Sequence, residues 1–172
     1  ITPERAQELL SLLFIKTNEI WNVLEEAFIP GGEGTEGKTT QNVVVGGIGT
    51  DGEDATNPLS FLGLEAYADI RTVQPNFGVR ISHKTADDFF RKAVDSARDG
   101  VLIHFFNDEI IVTSLTDAGH SVQDARDYGV VGCLEPNAQG KTFGSTFADQ
   151  FNGIKCLEFA MSNGVDNIFG YQ

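Results

Sequence analysis

Apolar residues near the start of the chain recur at helical spacing: Leu9, Leu10, Leu13, Ile20, Val23 and Leu24. Positions three or four apart line one face of a helix. Just upstream, Thr2-Pro3-Glu4 supplies an N-cap, a proline at the first helical position and an acid in the first turn. The spacing predicts a helix to about Phe28, ended by Pro30 and the glycine-rich run 31–37. Beyond it the pattern changes to short apolar runs, and 42–45, 76–82, 101–106 and 129–133 read as strands. Between the strands, 58–70 reads as a helix with Leu59, Leu62, Leu64 and Ala66 on its apolar face. The polar stretch 51–57 leads into it, with a cap near Asn57. Thr85 is placed to cap a third helix through Ala97, stopped by Gly100. Ser121 caps a short helix, and 148–162 forms the last one. The 101–106 run has almost no polar alternation, which predicts burial on both faces. Strands and helices alternating at these lengths predict an α/β fold with a largely parallel sheet.

Length and charge narrow the partners. A chain of 172 residues suits one domain with a real core. The net charge of −13 opposes nucleic acid, because phosphate binding needs clustered Lys and Arg, and it opposes an anionic membrane surface. No apolar run is long enough to span a bilayer, and no signal peptide is visible. Cys133 and Cys156 make no disulfide framework, which fits a reduced, cytoplasmic setting. The start at Ile1 and the stop just after Ile168-Phe169-Gly170-Tyr171 read as the ends of a segment of something larger.

Two glycine motifs match phosphate-binding patterns in letters but not in context. Gly32 to Thr39 fits GxxxxGK[ST], yet a helix precedes it and a strand follows, the reverse of what the motif needs. Glu33 and Glu36 would also repel a triphosphate. Gly47 to Gly52 fits GxGxxG after a strand, but an acidic loop with Asp51, Glu53 and Asp54 comes next instead of a helix. His83, His104 and His120 show no metal-ligand spacing, so no metal site is expected. His104, in an apolar strand, is kept as a pocket candidate. Cys156 reads as a core filler among Ile154, Leu157 and Phe159. Phe105 and Phe106 close a strand where pockets of α/β folds form, and Asp108 and Glu109 read as its solvated end.

The remaining chemistry lies in Gly132-Cys133-Leu134-Glu135-Pro136. Residues two apart in an extended segment face the same side, so a thiol and a carboxylate can reach one substrate. As an ionic nucleophile Cys133 would want a histidine nearby, and the sequence suggests none.

The stretch Asp124-Ala125-Arg126-Asp127-Tyr128-Gly129-Val130-Val131-Gly132-Cys133-Leu134-Glu135-Pro136 resembles the thiyl-radical loop of glycyl radical enzymes. The branch it resembles holds glycerol and diol dehydratases and choline trimethylamine-lyase, within the pyruvate formate-lyase-like superfamily. Gln41-Asn42, Asn57-Pro58-Leu59-Ser60, Gln74-Pro75, Val79-Arg80, Phe105 to Glu109, Gly140-Lys141-Thr142 and Phe151-Asn152 extend the likeness from about residue 40 onward. The resemblance implies part of a ten-stranded β/α barrel with the cysteine loop inside. On this reading 1–30 is a helical lead-in and 40–172 supplies barrel strands and helices. It implies Cys133 as hydrogen-atom abstractor and Glu135 as general base, with His104, Phe105, Phe106, Thr146 and Phe147 as pocket candidates. It further implies no bound cofactor. The radical would reside on a glycine of a segment not present here, installed by a separate S-adenosylmethionine iron–sulfur activase. The implied partners are a small hydroxylated substrate, that activating enzyme, the remainder of the catalytic chain and a second copy in a homo-oligomer. The radical-glycine motif is absent, so this chain alone is expected to be inactive. Leu134 follows Cys133 where pyruvate formate-lyase proper has a second cysteine, and Phe147 stands where dehydratases carry Asp or His. The expected function is a lyase or dehydratase that expels water or another leaving group. The alternatives are radical C–C chemistry, which Phe147 favours, and a non-enzymatic acidic α/β binding module.

Overall fold

The computed structural model describes residues 1–19, 21–23, 36–38, 41–132, 134–142 and 153–165, with the backbone alone at 21–23 and 36–38. Helix α1 (Pro3–Asn18) starts where the sequence places it, with Thr2 Oγ1 accepting from the Arg5 amide at 3.4 Å. It ends ten residues before Phe28. Trp21–Val23 instead forms strand β1, paired antiparallel with β2 (Glu36–Lys38). Thr17 and Asn18 weaken the helix end, since such side chains compete for backbone groups, and Trp21 and Val23 favour extended backbone. Lys38 thus lies on a strand and not at a helix start, as the rejected phosphate-loop pattern would need; 32–35 and 39 fall outside the described residues.

The centre of the structure is two successive βαβ units. Strand β3 (Asn42–Gly46) leads through α2 (Pro58–Ile70) to β4 (Asn76–Ile81), then through α3 (Asp87–Arg98) to β5 (Ile103–Asn107). The three strands are parallel in the order β3-β4-β5, so the expected α/β class and parallel sheet are present. Asn57 caps α2 by accepting from the Leu59 amide at 2.9 Å, while Ser60 Oγ accepts from the Asn57 amide at 3.2 Å. Such a reciprocal cap satisfies donors the helix cannot. Thr85 does not cap α3. Its Oγ1 accepts from the Ser82 amide at 2.9 Å, tightening the preceding turn, and the helix starts after Ala86 with Asp87 and Asp88 in its first turn. Those acids suit the positive helix start.

Side-chain alternation gives the sheet two unlike faces. Val43, Val45, Phe77, Val79 and Ile103 face the helices and meet Phe14, Leu64, Tyr67, Phe89 and Ala93 in one core. The Tyr67 ring stacks on Phe77 at 4.9 Å, and Phe14 meets both edge-on. The register puts Asn42, Val44, Gly46, Gly78, Arg80, His104 and Phe106 on the opposite face. A Cβ at Gly78 would lie 2.7 Å from the Phe106 ring, so the missing side chain makes room for Phe106.

β5 departs from the expected two-faced burial: Phe105 is 40% exposed and only Phe106 is buried. Among the described residues β5 is an edge strand with β4 alone beside it, so half of its surroundings is open. The chain then turns directly into α4 (Asp108–Asp117), which the sequence reading did not foresee. α5 (Val122–Arg126) follows, capped by Ser121 as expected. Strands β6 (Tyr128–Val131) and β7 (Glu135–Ala138) form an antiparallel hairpin. The last described helix, α6 (Gly153–Met161), is shorter than the 148–162 expected, of which 148–152 lies outside the described residues. Cys156 on α6 is an exposed free thiol and not a core filler, because the helix leaves its apolar side open, with Ile154 82% exposed.

Candidate active site

The sheet face away from the helices carries the polar residues. Arg80 projects from β4 and is buried there. Its Nε donates to Asp108 Oδ1 at 3.0 Å and its Nη2 to Oδ2 at 2.8 Å. Asp108 opens α4 and is fully buried, which overturns its reading as a solvated strand end. The Tyr128 hydroxyl donates to Asp108 Oδ1 at 2.8 Å, and the Ile48 amide donates to Oδ2 at 2.6 Å. Arg80 also donates to the carbonyls of Arg126 at 2.8 Å, Ile48 at 3.2 Å and Tyr128 at 3.4 Å. Its guanidinium lies 3.9 Å from the centre of the Tyr128 ring. A buried carboxylate is tolerable only when paired and hydrogen-bonded, and this one has four donors. Burial, then the Asp108 charge, pushes the Tyr128 phenol well above its ordinary pKa, so it remains a proton donor.

The glycine pattern at 47–52 finds its use here. A Cβ on Gly47 would lie 2.5 Å from Arg80 Nε and 2.7 Å from Asp108 Oδ2, and its φ of +86° suits glycine alone. The close approach is to an internal ion pair, so a pyrophosphate is not needed to explain it. Glu109, next to Asp108, is by contrast partly exposed. Its Oε1 lies 2.6 Å from His83 Nδ1 and accepts the His83 amide at 2.9 Å, contacts that lower its carboxyl pKa.

Tyr128 ties this cluster to the hairpin. Register pairs Val131 with Glu135, leaving 132–134 as the connection. At that tip the Asn42 side-chain amide donates to the Gly132 carbonyl at 2.9 Å. The Leu134 amide donates to Glu135 Oε2 at 2.8 Å, which folds the carboxylate back toward the tip. A Cβ on Gly132 would stand 2.6 Å from that oxygen, and Gly132 has φ +63°. Since Asn42 begins β3 while Arg80 lies near the far end of β4 and Asp108 just beyond that of β5, β6 crosses the sheet face from one end to the other. Sheet and hairpin flank a half-open cavity of about 570 Å³, lined by Asn42, Val44, Arg80, Tyr128, Asn137 and Thr142 among others.

Of the residues singled out from sequence, Glu135 lies at the hairpin tip, and His104 and Phe106 share the sheet face of Arg80. Phe105 points to the helix side. Cys133, Thr146 and Phe147 lie outside the described residues. In the sequence Asn42, Arg80 and Tyr128 stand only as parts of matching motifs, with no role, and Asp108 stands as part of one and as a solvated strand end. The cue that was present for Asp108 is Asn107-Asp108-Glu109, which has the composition of a helix start. Asn107 does cap α4, accepting from the Ile110 amide at 3.4 Å.

Comparison with known proteins points one way. The family description "Pyruvate formate lyase-like" matches residues 1–172. The trans-4-hydroxy-L-proline dehydratase of Clostridioides difficile is 34% identical over 166 residues, covering 96% of this chain and 21% of the dehydratase. The 4-hydroxyphenylacetate decarboxylase glycyl radical subunit of Clostridioides difficile strain CD196 is 29% identical, covering 100% of this chain and 21% of that subunit. The glycerol-bound B12-independent glycerol dehydratase of Clostridium butyricum superposes with a TM-score of 0.87 at 38% identity, covering 97% of this chain and 21% of that structure. The chain therefore spans about a fifth of the length of these relatives.

Proposed function

This chain belongs to the pyruvate formate lyase-like family, and from that premise we propose that it is the thiol-bearing segment of a glycyl radical lyase. The observation that carries the reading is the hairpin tip. Glu135 is folded toward Gly132, the residue bonded to Cys133, and Asn42 holds the Gly132 carbonyl. In the longer polypeptide, activation would supply an unpaired electron, which is what breaking an unactivated C–H bond requires. The Cys133 sulfur then takes a hydrogen atom from a carbon bearing a hydroxyl; an S–H bond forms as the C–H bond breaks. Glu135 takes the hydroxyl proton, and the resulting ketyl radical anion expels hydroxide from the neighbouring carbon, which leaves as water with the proton Glu135 gives back; another leaving group departs as its anion. The product radical recovers its hydrogen atom from Cys133, which restores the sulfur radical. A carboxylate in hydrogen-bond reach contributes about 10²–10⁴-fold to such a proton transfer. His104 and Phe106, on the Arg80 face of the sheet, are offered as pocket residues along with Thr146 and Phe147, whereas Phe105 faces the helices.

The test is anaerobic turnover by the complete polypeptide with its S-adenosylmethionine iron–sulfur activase. A panel of glycerol, propane-1,2-diol, trans-4-hydroxy-L-proline and 4-hydroxyphenylacetate would be read by mass spectrometry. Loss of water from one hydroxylated compound is the expected result. Phe147, an apolar residue, and the decarboxylase among the relatives favour a second reading, radical C–C cleavage. Carbon dioxide release from 4-hydroxyphenylacetate without dehydration of the other compounds would replace the first reading by the second.

A further inference from the structure

Among the described residues the hairpin is fastened to the sheet at two places. At its base the fastening is the buried cluster in which Tyr128 and Arg80 share Asp108. At its tip it is one hydrogen bond of 2.9 Å, from the Asn42 side-chain amide to the Gly132 carbonyl. That carbonyl belongs to the peptide group whose nitrogen is Cys133. A peptide group is planar, so fixing its oxygen restricts where the next Cα can be. Asn42 is well placed to hold it: it opens β3, its register partner is Asn76, and its side chain rises from the same sheet face as Val44 and Arg80. Glu135 Oε2 is engaged by the Leu134 amide on the other side of the connection. Glu135 is thus oriented from within the hairpin, while Gly132, the residue that precedes Cys133, is held from β3.

We propose that Asn42 is a positioning residue, which sets where the Cys133 sulfur stands relative to Glu135 and substrate by clamping the Gly132–Cys133 peptide to the sheet. The inference rests on the reading of Cys133 as the hydrogen-abstracting thiol. Hydrogen-atom transfer needs near-contact geometry, and a displacement of about 1 Å costs on the order of 10²-fold in rate. Asn42→Asp keeps the size and shape of the side chain but removes its N–H donors, so it releases the tip while leaving the Arg80–Asp108–Tyr128 cluster untouched.

The experiment uses the complete polypeptide, parent and Asn42→Asp side by side. Before activation, anaerobic alkylation by N-ethylmaleimide is followed at Cys133 by peptide mass spectrometry, with Cys156 as the internal control. After activation, radical content is measured by electron paramagnetic resonance, and kcat and KM with whichever of glycerol, propane-1,2-diol or trans-4-hydroxy-L-proline is turned over. The clamp predicts a Cys133 alkylation rate changed by about tenfold, against an unchanged rate at Cys156 and an unchanged melting temperature. It also predicts parental radical content with kcat down on the order of 10²-fold and KM within about threefold, and a larger substrate deuterium isotope effect on kcat. A parental Cys133 alkylation rate overturns the proposal. So does a fall in kcat that only follows a fall in melting temperature or radical content. Cys133→Ala separates the two claims. If it still turns over, the thiol reading fails; if it is dead while Asn42→Asp behaves as parent, the clamp alone fails.

Discussion

Gly132 shows how one missing side chain can govern a site. Its φ of +63° lies where L-residues are strained, and a Cβ would press on Glu135 Oε2 at 2.6 Å. The carboxylate can swing aside, but the backbone cannot relax without moving the tip. Gly132→Ala should therefore destabilise the hairpin by about 1–3 kcal/mol, seen as faster hydrogen exchange in the 128–138 peptide. Tyr128 makes a different demand. Tyr128→Phe removes one of four donors to Asp108 and should cost about 0.5–1.5 kcal/mol in melting experiments. Its pH dependence has a definite sign. The folded-state phenol pKa is raised, while the unfolded value is about 10. Below that pH both states keep the proton and the stabilisation is complete. Above it the unfolded chain ionises first, so stability falls as the pH rises. The parent should lose more stability between pH 9 and 11 than Tyr128→Phe does.

Among the elements, the contrast between α4 and its neighbours explains what the sequence made readable. β3, α2, β4 and α3 announce themselves by apolar spacing and by Asn57, because their core-facing residues are local features of the chain. α4 was hidden because Ile110-Ile111-Val112 follows a strand and is itself rich in β-branched residues, and its start was read as solvated. β7 was hidden for the opposite reason: Glu135-Pro136-Asn137-Ala138 has little strand character and pairs only because β6 lies beside it. The burial of Asp108 had no local signal, since Arg80 and Tyr128 are 28 and 20 residues away. The motif singles out Cys133 and Glu135 as candidates, whereas the hydrogen bond from Asn42 to the Gly132 carbonyl, 90 residues away, has no local signal. The cluster also sets the element-scale prediction. Asp108→Asn leaves a buried guanidinium without its charge partner and should cost about 3–5 kcal/mol, detaching α4 and the hairpin from β4. Hydrogen exchange should then rise in 108–117 and 128–138 while the Phe77 core stays protected. Uniform loss of protection would instead make the cluster part of the core.

For the molecule as a whole, the sheet divides labour between its faces. The helix side is a packed apolar core around Phe14, Tyr67 and Phe77, and Phe77→Ala should cost about 3–5 kcal/mol with no special effect on the hairpin. The other side carries few apolar side chains, an ion pair and a hairpin, and leaves a cavity between them. Such a face in a chain that spans a fifth of its relatives' length suits one wall of an enclosure completed elsewhere. Among the described residues no helix is long and apolar enough to cross a membrane. The measurement that bears most directly on this account is turnover of activated Cys133→Ala in the complete polypeptide, with the glycyl radical quantified by electron paramagnetic resonance. The account predicts a radical signal near the parental level with no detectable product from any compound of the panel. Product formed by that variant at a rate close to the parent's would contradict it.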